Sequence, residues 1–335
     1  MTTSDDVVVK AVGLKRLYPI TKGILFKKKI GEVRAVDGVD LQLLRGETLA
    51  LVGESGCGKS TTGRLLMGLE PADGGSISVL GDDLAELNSR QMRAKRRDIQ
   101  MILQDPYTSL NPRMNVATIV GEPFAIHPEA LAGRSRSEAV RELMDRVGLD
   151  PSMVNRYPHQ FSGGQRQRIG VARALALRPQ IIVADEPVSA LDVSVQAQVM
   201  NLLLDLQQEM GLSYVFVSHD LAVVRQIADR ISVMYLGRIV ETGEAGSVYA
   251  APAHPYTSAL LSAAPIPDPA AQAERERIKL SGELPDPADP PSGCRFRTRC
   301  WKAQELCARE EPDLVALSPS HSVACHFPET PDDAN

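Results

Sequence analysis

Residues 53–61 read GESGCGKST and follow directly on the apolar run ETLALVG at 47–53. This is G-x-x-x-x-G-K-[ST] set between a predicted buried strand and a predicted helix, and few folds accommodate that arrangement. Gly53, Gly56 and Gly58 let the backbone wrap tightly, so that successive N–H groups point at phosphate oxygens. Glu54, Ser55 and Cys57 fill the free positions, and Cys57 reads as a small filler without redox chemistry. Lys59 is placed to neutralise the β and γ phosphates of a nucleotide, the Ser60 hydroxyl to ligate Mg²⁺, and Thr61 completes the motif. The helix opening at Gly58 turns its positive dipole end toward the same anion.

The runs IIVAD (181–185) and SYVFVS (213–218) are also short, continuous and followed by turn or helix signals. They predict buried central strands of a mostly parallel sheet. Helical stretches at 59–69, 135–148, 164–177 and 193–210 alternate with them, which gives an α/β layered fold. IIVADEP ends in two carboxylates, and at the C-terminal edge of a parallel sheet they would face the site formed by the phosphate loop. Asp185 is placed to hold Mg²⁺ through water and Glu186 to polarise an attacking water, because phosphoryl transfer needs positioning and charge compensation. His219 closes YVFVSHD, where it could hydrogen-bond a γ-phosphate or the water. Gln104, in MILQDP, could reach Mg²⁺ or the water through its amide oxygen.

A net charge of −5 and a pI near 5.8 argue against a nucleic-acid partner, and the basic runs FKKK (26–29) and RAKRR (93–97) read as solvated surface. No apolar run approaches the roughly 18 residues that span a bilayer. MTTSDDVVVK lacks the basic-then-apolar order of a secretory signal, which predicts a cytosolic chain unless a partner holds it at a membrane. After about residue 250 the character changes. Seven prolines fall between 265 and 291, an extended arm by composition, and beyond them lie Cys294, Cys300, Cys307 and Cys325. Their spacing, C-x5-C-x6-C-x17-C, matches neither a zinc ribbon nor a ferredoxin run. In a cytosolic chain such a cluster suggests metal binding more than disulfides, and four thiolates suit zinc or an iron–sulfur cluster. His321 and His326 flank the last cysteine as substitute ligands.

Over roughly residues 7–250 the chain resembles the ATP-binding cassette ATPases. GESGCGKST, Gln104, FSGGQ (161–165), IIVADE, SALD (189–192) and His219 occur in that family's order and spacing. The resemblance implies a P-loop cassette core over 1–250 with a mostly parallel sheet, and a helical subdomain inserted at about 105–160 that touches a membrane partner. It also implies that Ser162, Gly163, Gly164 and Gln165 close on the ATP of a second cassette in a head-to-tail pair, with Asp192 communicating across it. The residues agree with this. Ser162 is a good N-cap, and a plain capped helix does not explain two glycines that weaken a helical turn by ~1 kcal/mol each. For the aromatic that stacks on adenine, Tyr18 in LKRLYP has the right local look, although Ile30 falls nearer the usual distance.

Cassette ATPases of DNA repair, chromosome organisation and translation tend to carry a coiled-coil insertion or two cassettes, and this sequence shows neither. HPYTSALLSAAP (254–265) and GELPDPADPPSGCRFRTRC (282–300) resemble the C-terminal extension of oligopeptide and dipeptide importer ATPases, which would occupy 251–335. QDPYTSLNPR (104–113) and STTGRLLMGLEP (60–71) look closest to the F-type subunit. That resemblance implies a D-type cassette ATPase as mate, two membrane permease subunits, an extracytoplasmic peptide-binding protein and a peripheral place on the cytoplasmic face of the membrane. In that subfamily similar tails hold a [4Fe–4S] cluster, although Trp301 stands where proline is usual. Alternatives are the same machine for nickel chelates or glutathione, and a non-transport cassette ATPase acting on nucleic acid or ribosomes.

Overall fold

A computed structural model describes residues 6–23, 28–105, 107–264 and 277–329. In chain order, β1 (Val7–Lys22) and β2 (Lys28–Leu44) precede β3 (Thr48–Val52) and α1 (Lys59–Leu66). Then come β4 (Gly74–Val79), β5 (Asp82–Asp83), α2 (Ser89–Asp98), β6 (Ile99–Ile102), α3 (Val116–Ile126) and α4 (Arg136–Arg146). Next are α5 (Gly163–Leu175), β7 (Ile181–Asp185), α6 (Val193–Met210), β8 (Ser213–Ser218) and α7 (Leu221–Ile227). The remainder is β9 (Arg230–Tyr235), β10 (Arg238–Glu244), α8 (Ala245–Ala250), α9 (Pro255–Ala263), α10 (Glu305–Arg309), β11 (Val315–Ser318) and β12 (His321–Val323).

These elements form two compact units. The first gathers residues 6–8, 44–47 and 86–217. Its strands β6, β7 and β8 run parallel, in register Ile99↔Ile181 and Ile181↔Ser213. Every residue of β7 and β8 is buried, as continuous apolar runs require of strands covered on both faces. The helices α3 and α4 lie in the stretch expected to be a helical insertion. Ser135 and Glu138 form a reciprocal capping box at the start of α4, a pattern legible in the sequence SRSE.

The second unit gathers 9–43, 48–85 and 218–329. In it β3 runs parallel to β9, β10 pairs antiparallel with β9, and β12 adds to β10 in register Glu241↔Val323. The sheet β2-β1-β4-β5 is antiparallel where β1 meets β4. The arm expected at 265–291 lies partly outside the described residues; from 277 to 291 it forms no helix or strand. The residues beyond it are built into the unit. Tyr235, Tyr256 and Phe296 pack ring against ring, with centroids 4.7 to 5.4 Å apart.

A buried carboxylate ties these parts together. Glu241 has no exposed surface; it accepts hydrogen bonds from the Ala253 and His254 backbone N–H groups at 2.7 and 2.9 Å, and His321 Nε2 stands 2.7 Å away. His254 is buried beside it and caps α9 by accepting the Tyr256 N–H at Nδ1, 3.0 Å away. Burial pushes the His254 pKa down to about 4, against the opposing pull of Glu241. A histidine depressed in the folded state contributes stability that is present above its unfolded pKa and lost as pH falls toward the folded one. Urea unfolding midpoints should therefore fall as pH drops from about 6.5 to 4, by up to ~3 kcal/mol in unfolding free energy. His254→Asn, which keeps an N-cap acceptor and cannot titrate, should flatten that slope.

Candidate nucleotide site

The loop 53–58 joins β3 to α1 inside the second unit. Two of its glycines are dictated by close approach. A Cβ on Gly53 would stand 2.2 Å from the Met234 carbonyl oxygen, and one on Gly58 would stand 2.0 Å from that of Ala35. Both glycines also take positive φ, 150° and 109°. The loop is thus pressed against backbone on its inner side, and α1 begins with no side-chain cap on its first N–H groups. An N-terminus without a side-chain cap and the positive end of the helix suit an anion.

Lys59 is 4% exposed, and its ammonium donates to the carbonyls of Gly53 and Glu54 at 2.8 and 2.9 Å. Ser55 and Gly56 are exposed at the loop tip, while Ser60 and Thr61 are half-buried in the first turn of α1. Cys57 is buried, and burial pushes its thiol pKa up, which keeps it a neutral packing group. The Glu54 carboxylate receives two hydrogen bonds from Arg299, and its N–H donates to Tyr256 Oη. Both partners come from the stretches HPYTSALLSAAP and GELPDPADPPSGCRFRTRC, neither of which signalled a contact with the loop. His219 is exposed just after β8. Tyr18 on β1 hydrogen-bonds Glu70 through its hydroxyl, and the Arg16 guanidinium covers its ring 4.7 Å from the centroid, so one ring face is already occupied.

In the first unit, Asp185 ends β7 at 3% exposure and Glu186 follows it. Glu186 has φ of 45°, a left-handed conformation uncommon for a residue with a side chain and one that concentrates at functional sites. Its N–H donates to the Val217 carbonyl at 2.9 Å, and Gln104 Nε2 donates to its carboxylate at 2.8 Å. The structure thus joins Gln104 to Glu186, a pairing that a separation of 82 positions hides in the sequence.

Ser162 caps α5 in a full capping box with Gln165, at 3.3 and 3.0 Å. Of the two glycines that a plain capped helix leaves unexplained, one has a packing reason. A Cβ on Gly164 would come within 2.3 Å of Val195 Cγ1, so packing alone requires that glycine. Gly163 meets only ordinary or slightly tight contacts, 3.3 Å from Leu191 and 3.5 Å from Tyr107, and stays without a packing reason. Asp192 caps α6, accepting from the Val195 N–H and the Ser194 hydroxyl at 3.0 and 2.8 Å; these bonds hold its carboxyl below the usual range.

The four tail cysteines are free thiols and line one narrow cavity together with Phe296 and Phe327. Among the described residues, however, no three His, Cys, Asp or Glu side chains are arranged to hold a metal ion. The geometry does not by itself support the expected cluster or zinc site. Burial pushes the metal-free Cys294 and Cys325 thiols up to about 11 and raises Cys300 as well. Nor are the flanking histidines spare. His321 is joined to Glu241, and His326 donates to the Glu310 carbonyl at 3.0 Å.

A buried lysine over a glycine cradle at the end of a strand, with a carboxylate pair ending another, defines a P-loop ATPase of the α/β type. Family comparison agrees: residues 36–189 match the ABC transporter model, and 240–307 match the oligopeptide/dipeptide transporter C-terminal region. The oligopeptide transport ATP-binding protein AppF of Bacillus subtilis is 52% identical, with 97% of this chain and 98% of that one aligned. OppF of Escherichia coli is 55% identical, with 97% of each chain aligned, and the dipeptide transport protein DppF of Haemophilus influenzae is 52% identical over 95% and 96%. A solved dimeric cassette, MJ0796 in a post-hydrolysis state with ADP and Pi, superposes with a TM-score of 0.61 at 27% identity, covering 71% of this chain and 98% of that one. The chain belongs to the ABC transporter family, among the ATP-binding proteins of oligopeptide and dipeptide transport. It is an ATP-binding, ATP-hydrolysing cassette subunit.

The loop glycines separate two effects. Gly56 takes φ of 81° but faces open space, so Gly56→Ala should cost only ~1 kcal/mol, whereas Gly58→Ala adds the collision with Ala35 and should cost at least twice that. Thermal unfolding of the two variants checks the ordering.

Proposed function

We propose that this chain binds Mg²⁺-ATP on the loop 53–61 and couples its hydrolysis to import of di- and oligopeptides. The observation that carries the reading is the Gly53–Lys59 cradle, too close to backbone for a Cβ at Gly53 and at Gly58 and roofed by a buried ammonium, in a chain whose relatives are named for peptide transport. The loop N–H groups and Lys59 bind the phosphates, and Ser60 and Asp185, with Gln104, would hold Mg²⁺, which supplies charge compensation on the transferring phosphoryl group. Glu186 orients the attacking water and takes its proton, and His219 aligns water and γ-phosphate. The Gln104–Glu186 hydrogen bond, 2.8 Å, fixes the carboxylate's direction within its own unit.

Hydrolysis in this reading requires a second cassette. Ser162, Gly163, Gly164 and Gln165 close on the partner's ATP, and Asp192 relays between the two. Gly163, open of backbone and without a packing duty, supports that assignment better than Gly164 does. The mate is a D-type cassette ATPase, and the pair docks on two permease subunits, fed by an extracytoplasmic peptide-binding protein, at the cytoplasmic face of the membrane. Among the described residues no helix is long and apolar enough to cross a membrane, so the permeases provide the path. Tyr18 serves as the adenine platform through its uncovered ring face.

In a strain lacking this subunit, the wild-type chain should restore uptake of labelled di- and tripeptides. Glu186→Gln should keep ATP binding within about threefold and lower turnover and uptake by at least 10²-fold, as loss of a water-positioning group does. Turnover within a few-fold of wild type would remove Glu186 from that role. Uptake of a nickel chelate or glutathione in place of peptides would reassign the cargo.

For the tail we propose a [4Fe–4S] cluster, with zinc as the alternative, resting on the donor set alone: four thiols lining one cavity. Anaerobic purification should yield iron and sulfide with visible absorption, or zinc in about one equivalent per chain as such a four-sulfur site holds, with either signal lost in Cys300→Ser. Metal-free protein with full ATP binding would withdraw the cluster and leave the thiols as packing.

A further inference from the structure

Glu54 occupies one of the free positions of the phosphate loop, yet it is the most heavily held residue there. Its carboxylate accepts from two Arg299 nitrogens, Nη1 at 2.7 Å and Nη2 at 3.0 Å. Its backbone N–H donates to Tyr256 Oη at 2.8 Å. Its carbonyl accepts from Lys59 Nζ at 2.9 Å and from the Cys57 N–H at 3.3 Å. Every polar group of Glu54 is thus engaged. Both partners from outside the loop come from the C-terminal segment, 202 and 245 residues away in sequence.

Arg299 is itself held. Its side chain is 9% exposed, its N–H donates to the Phe296 carbonyl at 2.9 Å, and Phe296 packs on both Tyr235 and Tyr256. The Glu54 hydrogen bonds raise the Arg299 pKa further, so its charge is permanent. A planar guanidinium bonded to a carboxylate through two nitrogens fixes direction as well as distance, which a single charge contact does not. The neighbouring Arg295 is held differently, bonding two carboxylates through one nitrogen each, Asp37 on β2 and, through Nε, Glu311 at 3.1 Å.

We propose that Arg299 and Tyr256 are positioning residues of the phosphate loop. They hold Glu54 from its two ends, and Glu54 in turn sets where the Lys59 ammonium and the adjoining loop N–H groups stand. The tail is then a working part of nucleotide binding. Cargo recognition has no part in this role. The inference rests on the reading that 53–61 binds ATP, and it assigns a role that a carboxylate at position 54, a free position of the motif, does not announce.

The test uses the full chain, a trinitrophenyl-ATP fluorescence titration with Mg²⁺, and thermal unfolding without nucleotide. Wild-type binding that is lost in Lys59→Ala establishes the site; absence of either result overturns the ATP reading and this proposal together. Given that site, Arg299→Gln should raise Kd about tenfold, the step one charged hydrogen bond contributes. Tyr256→Phe, which keeps the ring in its cluster, should raise it about threefold. Arg299→Lys should fall between wild type and Arg299→Gln, since it keeps charge but not the two-pronged geometry. Glu54→Gln combined with Arg299→Gln should be no weaker than either alone, because the two act through one contact. Binding by Arg299→Gln within twofold of wild type, or additive losses in the pair, would overturn the proposal with the ATP site intact. Should Arg299→Gln fail to fold, Tyr256→Phe and Arg299→Lys decide by the same criterion.

Discussion

The tightest constraint on this molecule is a collision between backbones that is avoided by having no side chain at two places. Gly53 and Gly58 bring the phosphate loop to within 2.2 and 2.0 Å, measured from a notional Cβ, of the Met234 and Ala35 carbonyls. Those carbonyls belong to β9 and β2, so the loop is seated against two strands at once. Lys59 then has little choice of position. It is buried, and the loop carbonyls of Gly53 and Glu54 are the acceptors within its reach. A buried ammonium without partners would cost several kcal/mol. The same geometry that satisfies it keeps it over the loop, so burial, hydrogen bonding and phosphate recognition make one demand.

In the other unit the comparable economy lies at the end of β7. Four buried apolar residues carry the chain to Asp185, and the turn that follows places Glu186 in a left-handed conformation costing on the order of 1–3 kcal/mol. The cost is met by fixing the residue on three sides. Its N–H is bonded to Val217, its carbonyl accepts the Ser189 hydroxyl and its carboxylate accepts Gln104. A carboxylate meant to orient water gains from such fixation, since a side chain free to rotate would spend the alignment as entropy.

What the sequence disclosed follows the range over which each force acts. Strands β3, β7 and β8 were legible because burial on both faces forces unbroken apolar runs, and α4 because a capping box lies within four residues. The loop 53–61 was legible because its chemistry is contiguous. Gly164 has a packing reason that the sequence does not show, because it lies in Val195, on another helix. The hold on Glu54 escaped entirely, since Arg299 and Tyr256 lie more than 200 residues on, in stretches whose pattern says nothing of the loop they reach. The four cysteines were legible as a cluster and do share one cavity, but sequence spacing does not tell thiols that ligate from thiols that pack.

The change of composition near residue 250 is a change of sequence character that packing does not follow. Glu241 lies on β10, before that point, and is fully buried, yet the groups that satisfy it are the Ala253 and His254 N–H groups and His321, all beyond it. A chain ending at 250 would keep the carboxylate and lose all three, leaving a buried charge unpaired at a cost of about 3–5 kcal/mol. β10 would also lose β12 as a neighbour, and Asp37 would lose Arg295. A shared P-loop core does not therefore make this cassette separable. Over evolutionary time a segment can enter as an addition, yet once a buried carboxylate on one side takes its hydrogen bonds from the other, as Glu241 does, the two stand or fall as one folding unit.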